Sequence, residues 1–563
     1  MTFGHLRSLL FNRIALAVLG GVLWAAAYEK IGIAGFAWVA PGVLLSAALG
    51  RRGWAAFRIG YFGGLAFYLV LLYWLLLIPY RWHGIPFGPA LGWLALSAFT
   101  ALYPAIWVCL VASAFPGSPS PANQASVWLA FKSLAETRWA SRARWALLGA
   151  VAWVGLEMIQ ARFLSGFPWN ILGSTQYRML PLLQCASVTG VYGISFLLVW
   201  TSVCGLGAVG RSIAERGRST WAAEMVFPLL VVAMVYAQGF RILRAVETPG
   251  RTWSALLVQP SIPQTLIWDS ANDDARFADL LALSERGLTN NHPQVVIWPE
   301  AAVPKLLRYD EKTFEAVTGF ARRHQVWMII GADDAEPVPN PGPNDAKALY
   351  FNSSFLISPE GKLREHYRKR ALVIFGEYIP LVKWMPFLKW FTPIEGGFTA
   401  GDGPVPFELE EPPVKASVLI CFEDIFPHLV RRYVDPDTDV LVNLTNNGWF
   451  GDSAAQWQHG VSAILRAVEN NLPLVRCANN GLTCWVDHHG VVRQILRDGN
   501  GGIYGQGTLS IQVPLPLSRG SATFYNRYGD VFGWTCVAVT GLHLLGGVLA
   551  RRRRPASTPH PVH

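Results

Sequence analysis

Charged residues are scarce in this chain. They make up 15% of 563 residues against 52% hydrophobic ones, a balance that excludes a protein soluble along its whole length and still leaves room for a sizeable soluble portion. Zinc-type pairs are also lacking. The seven cysteines form no CxxC and no His/Cys spacing, so no metal site is expected. No self-similarity at a solenoid period is visible, and no small-residue cleavage site follows the first apolar run, so a cleavable signal peptide is not expected. The net charge of +10 does not point to nucleic acid, because the cations gather in short clusters beside apolar runs, the pattern of membrane topology.

Apolar runs long enough to span a bilayer occur near 13–29, 31–49, 57–79, 88–115, 145–162, 187–209, 223–240 and 530–550. Threading them with the N-terminus inside puts every basic cluster on the cytoplasmic side: Arg7; Arg51, Arg52 and Arg58; Lys132, Arg138, Arg142 and Arg144; Arg211, Arg216 and Arg218; and Arg551 to Arg554. Outer loops keep scattered cations such as Arg81, Arg162 and Arg178. The expected division is a membrane region over 1–245 with about seven helices, an outer domain over 250–515, a last span over 525–550 and a cytoplasmic basic tail over 551–563. Glu157 lies inside the fifth run, so it is expected to face the bundle interior and pair with a cation or a backbone group. Tyr525, Arg527, Tyr528 and Asp530 read as anchors at the last span's outer interface. Cys109, Cys185, Cys204 and Cys536 read as lipid-compatible fillers. Cys477 and Cys484 are near enough for a disulfide, or are ordinary buried thiols.

The outer domain alternates β-rich runs (TWSALLVQP, QVVIWP, VWMIIGA, ALYFNSSFLIS, KASVLIC, DVLVNLT, PLVRCA) with helical ones (ANDDARFADLLALSERGL, EKTFEAVTGFARRH, QWQHGVSAILRAVENN), an α/β pattern whose apolar strands are buried on both faces. Three reactive residues follow apolar runs there: Glu300 in VVIWPEAAVP, Lys369 in HYRKRALVIFGEYIP and Cys421 in ASVLICFEDIFP. A carboxylate, an ammonium and a thiol supply a base, an oxyanion stabiliser and a nucleophile, sufficient for acyl transfer through a thioester. Taken singly, each has a plainer reading: a capping carboxylate, a solvated cation, a core thiol.

IWPE, the YRK with Lys369, LVIFGEYIP, LICFED and NLTNNGWFGDSAAQWQH together resemble the nitrilase superfamily and its Glu-Lys-Cys triad. GFPWNILGSTQ, TGVYGISF and VQPSIPQTLIWD narrow the resemblance to the membrane-embedded apolipoprotein N-acyltransferase family. The resemblance implies an αββα sandwich inserted between the helices of an eight-helix bundle in the bacterial inner membrane, with the sandwich periplasmic and both termini cytoplasmic. It also implies a ping-pong reaction without a cofactor. The acyl donor would be a phospholipid resembling phosphatidylethanolamine, and the acceptor the α-amine of a diacylglyceryl-cysteine apolipoprotein. A monomer is expected.

Glu377 and Glu423 are expected to support the site by hydrogen bonding to Lys369 and Cys421, with direct proton transfer as the other reading. Trp449, Phe450 and His459 are open to two readings, lining a substrate entrance or packing a loop. Asn446 and Asn447 read as turn-formers. LVKWMPFLKWF (381–391) has the make-up of a lid dipping into the membrane interface, or of a packed loop. The sequence departs from the family pattern at Arg368, Ile374, Phe422 and Asn447. A membrane-anchored amidase that releases its acyl group to water would use the same triad. An inert outer domain on a transporter would predict a broken triad.

Overall fold

The computed structural model describes residues 12–552 apart from 80–86, 119, 215–221, 246–249, 268, 290–291, 341–346, 383, 388–396 and 517–521. Arg7, Arg81, Arg216, Arg218 and the tail from 553 onward, all used above for topology, lie outside the described residues.

In hydrocarbon every backbone polar group must be satisfied within its own segment, so the apolar runs become helices. Among the described residues five are long and apolar enough to cross a membrane: Gly53–Leu71, Gly88–Ser113, Val191–Ser212, Ala223–Leu243 and Val531–Leu549. The first two expected spans differ from that pattern. Over them the chain forms Arg13–Ala26, a 3-10 turn at Ala34–Trp38 and Ala40–Ala47, because the polar break at Glu29 and Lys30 ends in Gly32 at φ 67° and the chain restarts with Pro41 in the first helical turn. An eight-residue helix is well short of the ~20 residues a span requires. The fifth run sits in Trp139–Gln160, where Glu157 is buried and accepts the Leu172 N–H at 2.8 Å, the expected pairing with a backbone group. Arg142 of the same helix makes a buried two-point contact with Glu224 at 2.7 and 3.1 Å.

Residues 251–515 form two mixed six-stranded sheets. The strands are β1 Arg251–Gln259, β2 Val295–Ile297, β3 Trp327–Pro337, β4 Ala348–Ile357, β5 Leu363–Arg368, β6 Pro406–Leu409, β7 Val414–Ile420, β8 Val440–Thr445, β9 Leu474–Ala478, β10 Cys484–Val486, β11 Val492–Ile495 and β12 Gly507–Leu515. One sheet runs β12-β1-β2-β3-β4-β5 and the other β11-β10-β9-β8-β7-β6. Each has a parallel centre, β1-β2-β3 and β7-β8-β9, flanked by antiparallel strands.

Strand alternation divides the core. Leu257, Val295, Ile297 and Ile329 pack with Val418, Val442 and Val475 between the sheets, whereas Leu256, Val296, Met328 and Ile330 pack outward on Leu280, Val317 and Phe320 of helices Asp273–Leu288 and Glu311–His324. Helix Ala455–Asn470 lies against the second sheet and is buried along its whole length, because its far side meets the membrane helices. Gln458 joins the two: its Oε1 accepts from the indoles of Trp74 and Trp169 at 3.0 and 3.1 Å, and its Nε2 donates to the Glu29 carbonyl at 2.9 Å. Tyr525 and Asp530 are buried rather than interfacial: the Tyr525 hydroxyl donates to Asp530 at 2.7 Å, and Asp530 pairs with Arg162. Tyr528 stays exposed.

Candidate active site

Glu300, Lys369 and Cys421 each follow a strand, β2, β5 and β7 respectively, and the sheet pairing brings the three ends together. The Glu300 loop is pulled down onto β3, where the N–H groups of Ala302 and Val303 donate to the Gly331 carbonyl at 3.1 and 3.2 Å. Gly331 is required for that approach: a Cβ there would lie 2.2 Å from the Pro299 carbonyl oxygen. Glu300 is buried, its Oε1 accepting from Lys369 Nζ at 3.2 Å and Asn352 Nδ2 at 2.8 Å, and its Oε2 from the Asn446 N–H at 2.9 Å. Lys369 Nζ also meets Glu377 Oε1 at 2.8 Å and sits 5.4 Å from the Phe422 ring centroid.

Cys421 is half-buried and has φ 55°, a left-handed backbone that a non-glycine residue adopts only when its surroundings hold it there. Two anchors do so. Asn443 Nδ2 donates to the Cys421 carbonyl at 2.9 Å and is itself held by Arg476 at 2.7 Å, while Glu423 accepts the Ile420 N–H at 2.8 Å. Glu423 further takes the Arg370 and Ala371 N–H groups at 2.8 and 3.1 Å and the Tyr367 hydroxyl at 2.8 Å. Its bonds therefore run to the backbone beside Lys369 and Cys421 and not to those two side chains.

Electrostatics fixes the resting protonation. Burial pushes the Cys421 thiol up to about 12, helped by Glu300 and Glu377 and opposed by Lys369. Burial alone would depress Lys369, but Glu300 and Glu377, with Cys421 behind them, hold it well above its ordinary value. The site at rest is thus a neutral thiol beside a permanent ammonium, and the thiol needs a base at the moment of attack.

Several neighbours were not legible in the sequence. Asn352 bonds both Glu300 and Glu377 from the middle of β4, at 2.8 and 3.0 Å, and Asn446 touches Glu300 instead of merely turning the chain. Asp333 on β3 lies near enough to Glu300 and Glu377 that burial, reinforced by these two, pushes its carboxyl up to about 7. Folded Asp333 therefore keeps a proton that the unfolded chain has lost, a contribution to stability complete below about pH 4 and lost as pH rises to about 7. Replacing it by Asn (Asp333→Asn) should make the variant's melting temperature gain on the parent's steadily from pH 4 to 7 in detergent; a constant difference would refute the titration.

His459 is buried with both ring nitrogens occupied, by Asp424 Oδ1 at 2.8 Å and Asn447 Oδ1 at 3.0 Å, so it packs the loop. Phe450 stands 4.4 Å from the Trp74 ring, and Trp449 is half-buried beside it. In the lid candidate Leu381, Trp384, Met385 and Phe387 are exposed, while 383 and 388–391 lie outside the described residues. Arg368 turns away from the site to Asp334, at 3.0 Å, and Glu336. All seven cysteines are free, Cys477 and Cys484 included.

A family model described as carbon-nitrogen hydrolase matches residues 255–506, and one described as the apolipoprotein N-acyltransferase N-terminal domain matches residues 20–204. The chain is 35% identical to the apolipoprotein N-acyltransferase of Geobacter metallireducens over 541 residues, covering 96% of this chain and 95% of that relative. With the enzyme of the same name from Chlorobaculum tepidum it shares 28% identity over 524 residues, 86% and 93% of the two chains. Among solved structures, an amidase from Nesterenkonia overlies 49% of this chain and 94% of its own, at 17% identity and a TM-score of 0.30, too slight a likeness to bear on the fold. Matched along nearly its whole length, the chain belongs to the apolipoprotein N-acyltransferase family of the nitrilase superfamily.

Proposed function

We propose that this acyltransferase moves an acyl chain from a membrane phospholipid to Cys421 and then to the α-amine of a diacylglyceryl-cysteine apolipoprotein, with Glu300, Lys369 and Cys421 as its catalytic residues. The observation that carries the reading is the Lys369 ammonium bridging Glu300 and Glu377 at 3.2 and 2.8 Å beside the half-buried Cys421.

The Cys421 sulfur attacks the ester carbonyl as Glu300 takes the thiol proton. The tetrahedral oxyanion rests on Lys369, whose ammonium has three N–H groups, two of them engaged by carboxylates and the third left for substrate. Collapse expels the lysophospholipid alkoxide, which receives the proton from Glu300 and leaves a thioester. The neutral amine then attacks the thioester carbonyl, Glu300 accepts the amine's proton, and collapse to the amide returns it to the departing sulfur. Glu377 keeps Lys369 charged and in place, and Glu423 holds the two strand ends together.

Incubation of the purified chain with phospholipid, with and without a diacylated lipoprotein peptide, separates transfer from hydrolysis. N-acylated peptide is expected, with little fatty acid released when peptide is withheld. Steady fatty acid release without peptide acylation would establish the amidase-like hydrolase instead.

The proposal includes a bundle of membrane helices with both termini cytoplasmic and residues 250–515 in the periplasm. Acyl chains in the outer leaflet could then stay in lipid while the reacting ester or amine reaches Cys421, avoiding about 0.8 kcal/mol for each methylene drawn into water. The exposed Leu381, Trp384 and Phe387 suit a lid resting on that interface. A reporter fused near residue 300 should behave as periplasmic and one after Arg554 as cytoplasmic. Cytoplasmic activity of the first would overturn both topology and acceptor.

A further inference from the structure

At the site, Asp333 of β3 stands directly opposite Asn352 of β4, and Lys369 donates its backbone N–H to the Asn352 carbonyl at 2.8 Å on the other side. Residues opposed in an antiparallel pair share a face, so Asp333 lies on the face where Asn352 Nδ2 holds Glu300 and Glu377. The next residue, Asp334, is on the opposite face, where Arg308 and Arg368 bind it at 2.7 and 3.0 Å. The catalytic face therefore carries three carboxylates, with the Lys369 ammonium shared between two of them. Among the described residues, no hydrogen bond or ion pair reaches the Asp333 carboxyl.

A second observation is independent of charge. Asn352 is only 5% exposed, and while its Nδ2 is fully used its Oδ1 is buried without a hydrogen-bond partner. An orphaned acceptor on the residue opposite a carboxyl that no ion pair reaches, and whose surplus of carboxylate neighbours Lys369 offsets only in part, is a deficit of positively charged donors. An ammonium, with three N–H groups and no acceptor, fills it on both counts.

We propose that Asp333 and the Asn352 Oδ1 form a subsite for a primary ammonium group of a bound lipid substrate. The inference rests on the acyl-transfer reading and deepens it. Two substrates could bring that group: the acceptor, as its α-ammonium before deprotonation, or the donor, as an ethanolamine head. The raised Asp333 carboxyl accords with such a subsite, since burial and its two carboxylate neighbours are what an arriving cation would offset.

The test compares the full-length chain with Asp333→Asn and with Asp333→Glu, which keeps the charge. Thioester formation is followed by intact mass on phosphatidylethanolamine and on phosphatidylglycerol, and aminolysis by the KM for a diacylglyceryl-cysteine peptide. A peptide KM raised about tenfold by Asp333→Asn, with the donor preference retained, assigns the ammonium to the acceptor. A preference for phosphatidylethanolamine reduced about tenfold, with peptide KM retained, assigns it to the donor. In either case Asp333→Glu should recover part of the loss. If neither quantity moves, or all rates fall by one common factor that Asp333→Glu does not relieve, the subsite does not exist. A parent chain that forms no thioester with any lipid fails differently, because the acyl-transfer reading then falls and the subsite with it.

Discussion

Cys421→Ala is expected to abolish acyl transfer, lowering turnover by roughly 10^4-fold or more, the scale of loss when a nucleophile that acts as part of a unit is removed. The change should leave the fold in place, because alanine occupies less space and Glu300, Lys369 and Glu377 keep their mutual contacts without the sulfur. After incubation with phospholipid, intact-mass measurement of the parent should show a hydroxylamine-labile acyl adduct that the variant lacks. Because burial and the two carboxylates hold the resting thiol near 12, the adduct should form by base-assisted attack and not from a standing thiolate. Slow alkylation of Cys421 at neutral pH by a small iodoacetamide, in the absence of lipid, would accord with this. An adduct of equal amount on Cys421→Ala would remove the nucleophile assignment.

Lys369→Met is expected to damage both chemistry and stability. The ammonium is 1% exposed and lies between two carboxylates, so its loss leaves Glu300 and Glu377 buried without a counter-charge, a change that costs about 3–5 kcal/mol when one partner of a buried pair is removed. Losing the oxyanion donor should slow thioester formation and aminolysis alike by roughly 10^2–10^3-fold. Adding Glu377→Gln separates the two effects. The double variant sheds one of the orphaned charges and should melt closer to the parent, yet remain as slow as Lys369→Met alone. Recovery of rate together with stability would show that Lys369 serves only to neutralise the carboxylates.

The residues most readable in the sequence were those whose chemistry is tied to a strand end. Glu300 and Cys421 stand after apolar β-rich runs, which are local signals, Pro299 and Pro304 bracket the glutamate, and the seven strand segments so marked are present. Strands β5, β6, β10, β11 and β12 were less visible. β5 and β11 are partly exposed edge strands with no apolar run, while β6 and β10 are four and three residues long. In the membrane half apolar length alone locates the continuous helices Val191–Ser212 and Val531–Leu549 but does not show that the run 31–49 breaks into the 3-10 turn Ala34–Trp38 and the eight-residue helix Ala40–Ala47.

The sequence by itself determined the α/β alternation, the apolar helices and the family, and it singled out Glu300, Lys369 and Cys421, because each is written in contiguous residues or in their spacing. What only the tertiary structure decided is which groups meet. Asn352 and Asp333 carry no local mark of function; they reach the site because antiparallel register sets β3 against β4 and so fixes the face each side chain shares. Glu423 and Asn443 act on a backbone at φ 55° that no sequence pattern announces. His459 left the entrance for the interior because Asp424 and Asn447, 35 and 12 residues away, took both its nitrogens. Contacts of that kind depend on strand order and register across the whole sheet, a property of the packed chain and not of any segment of it.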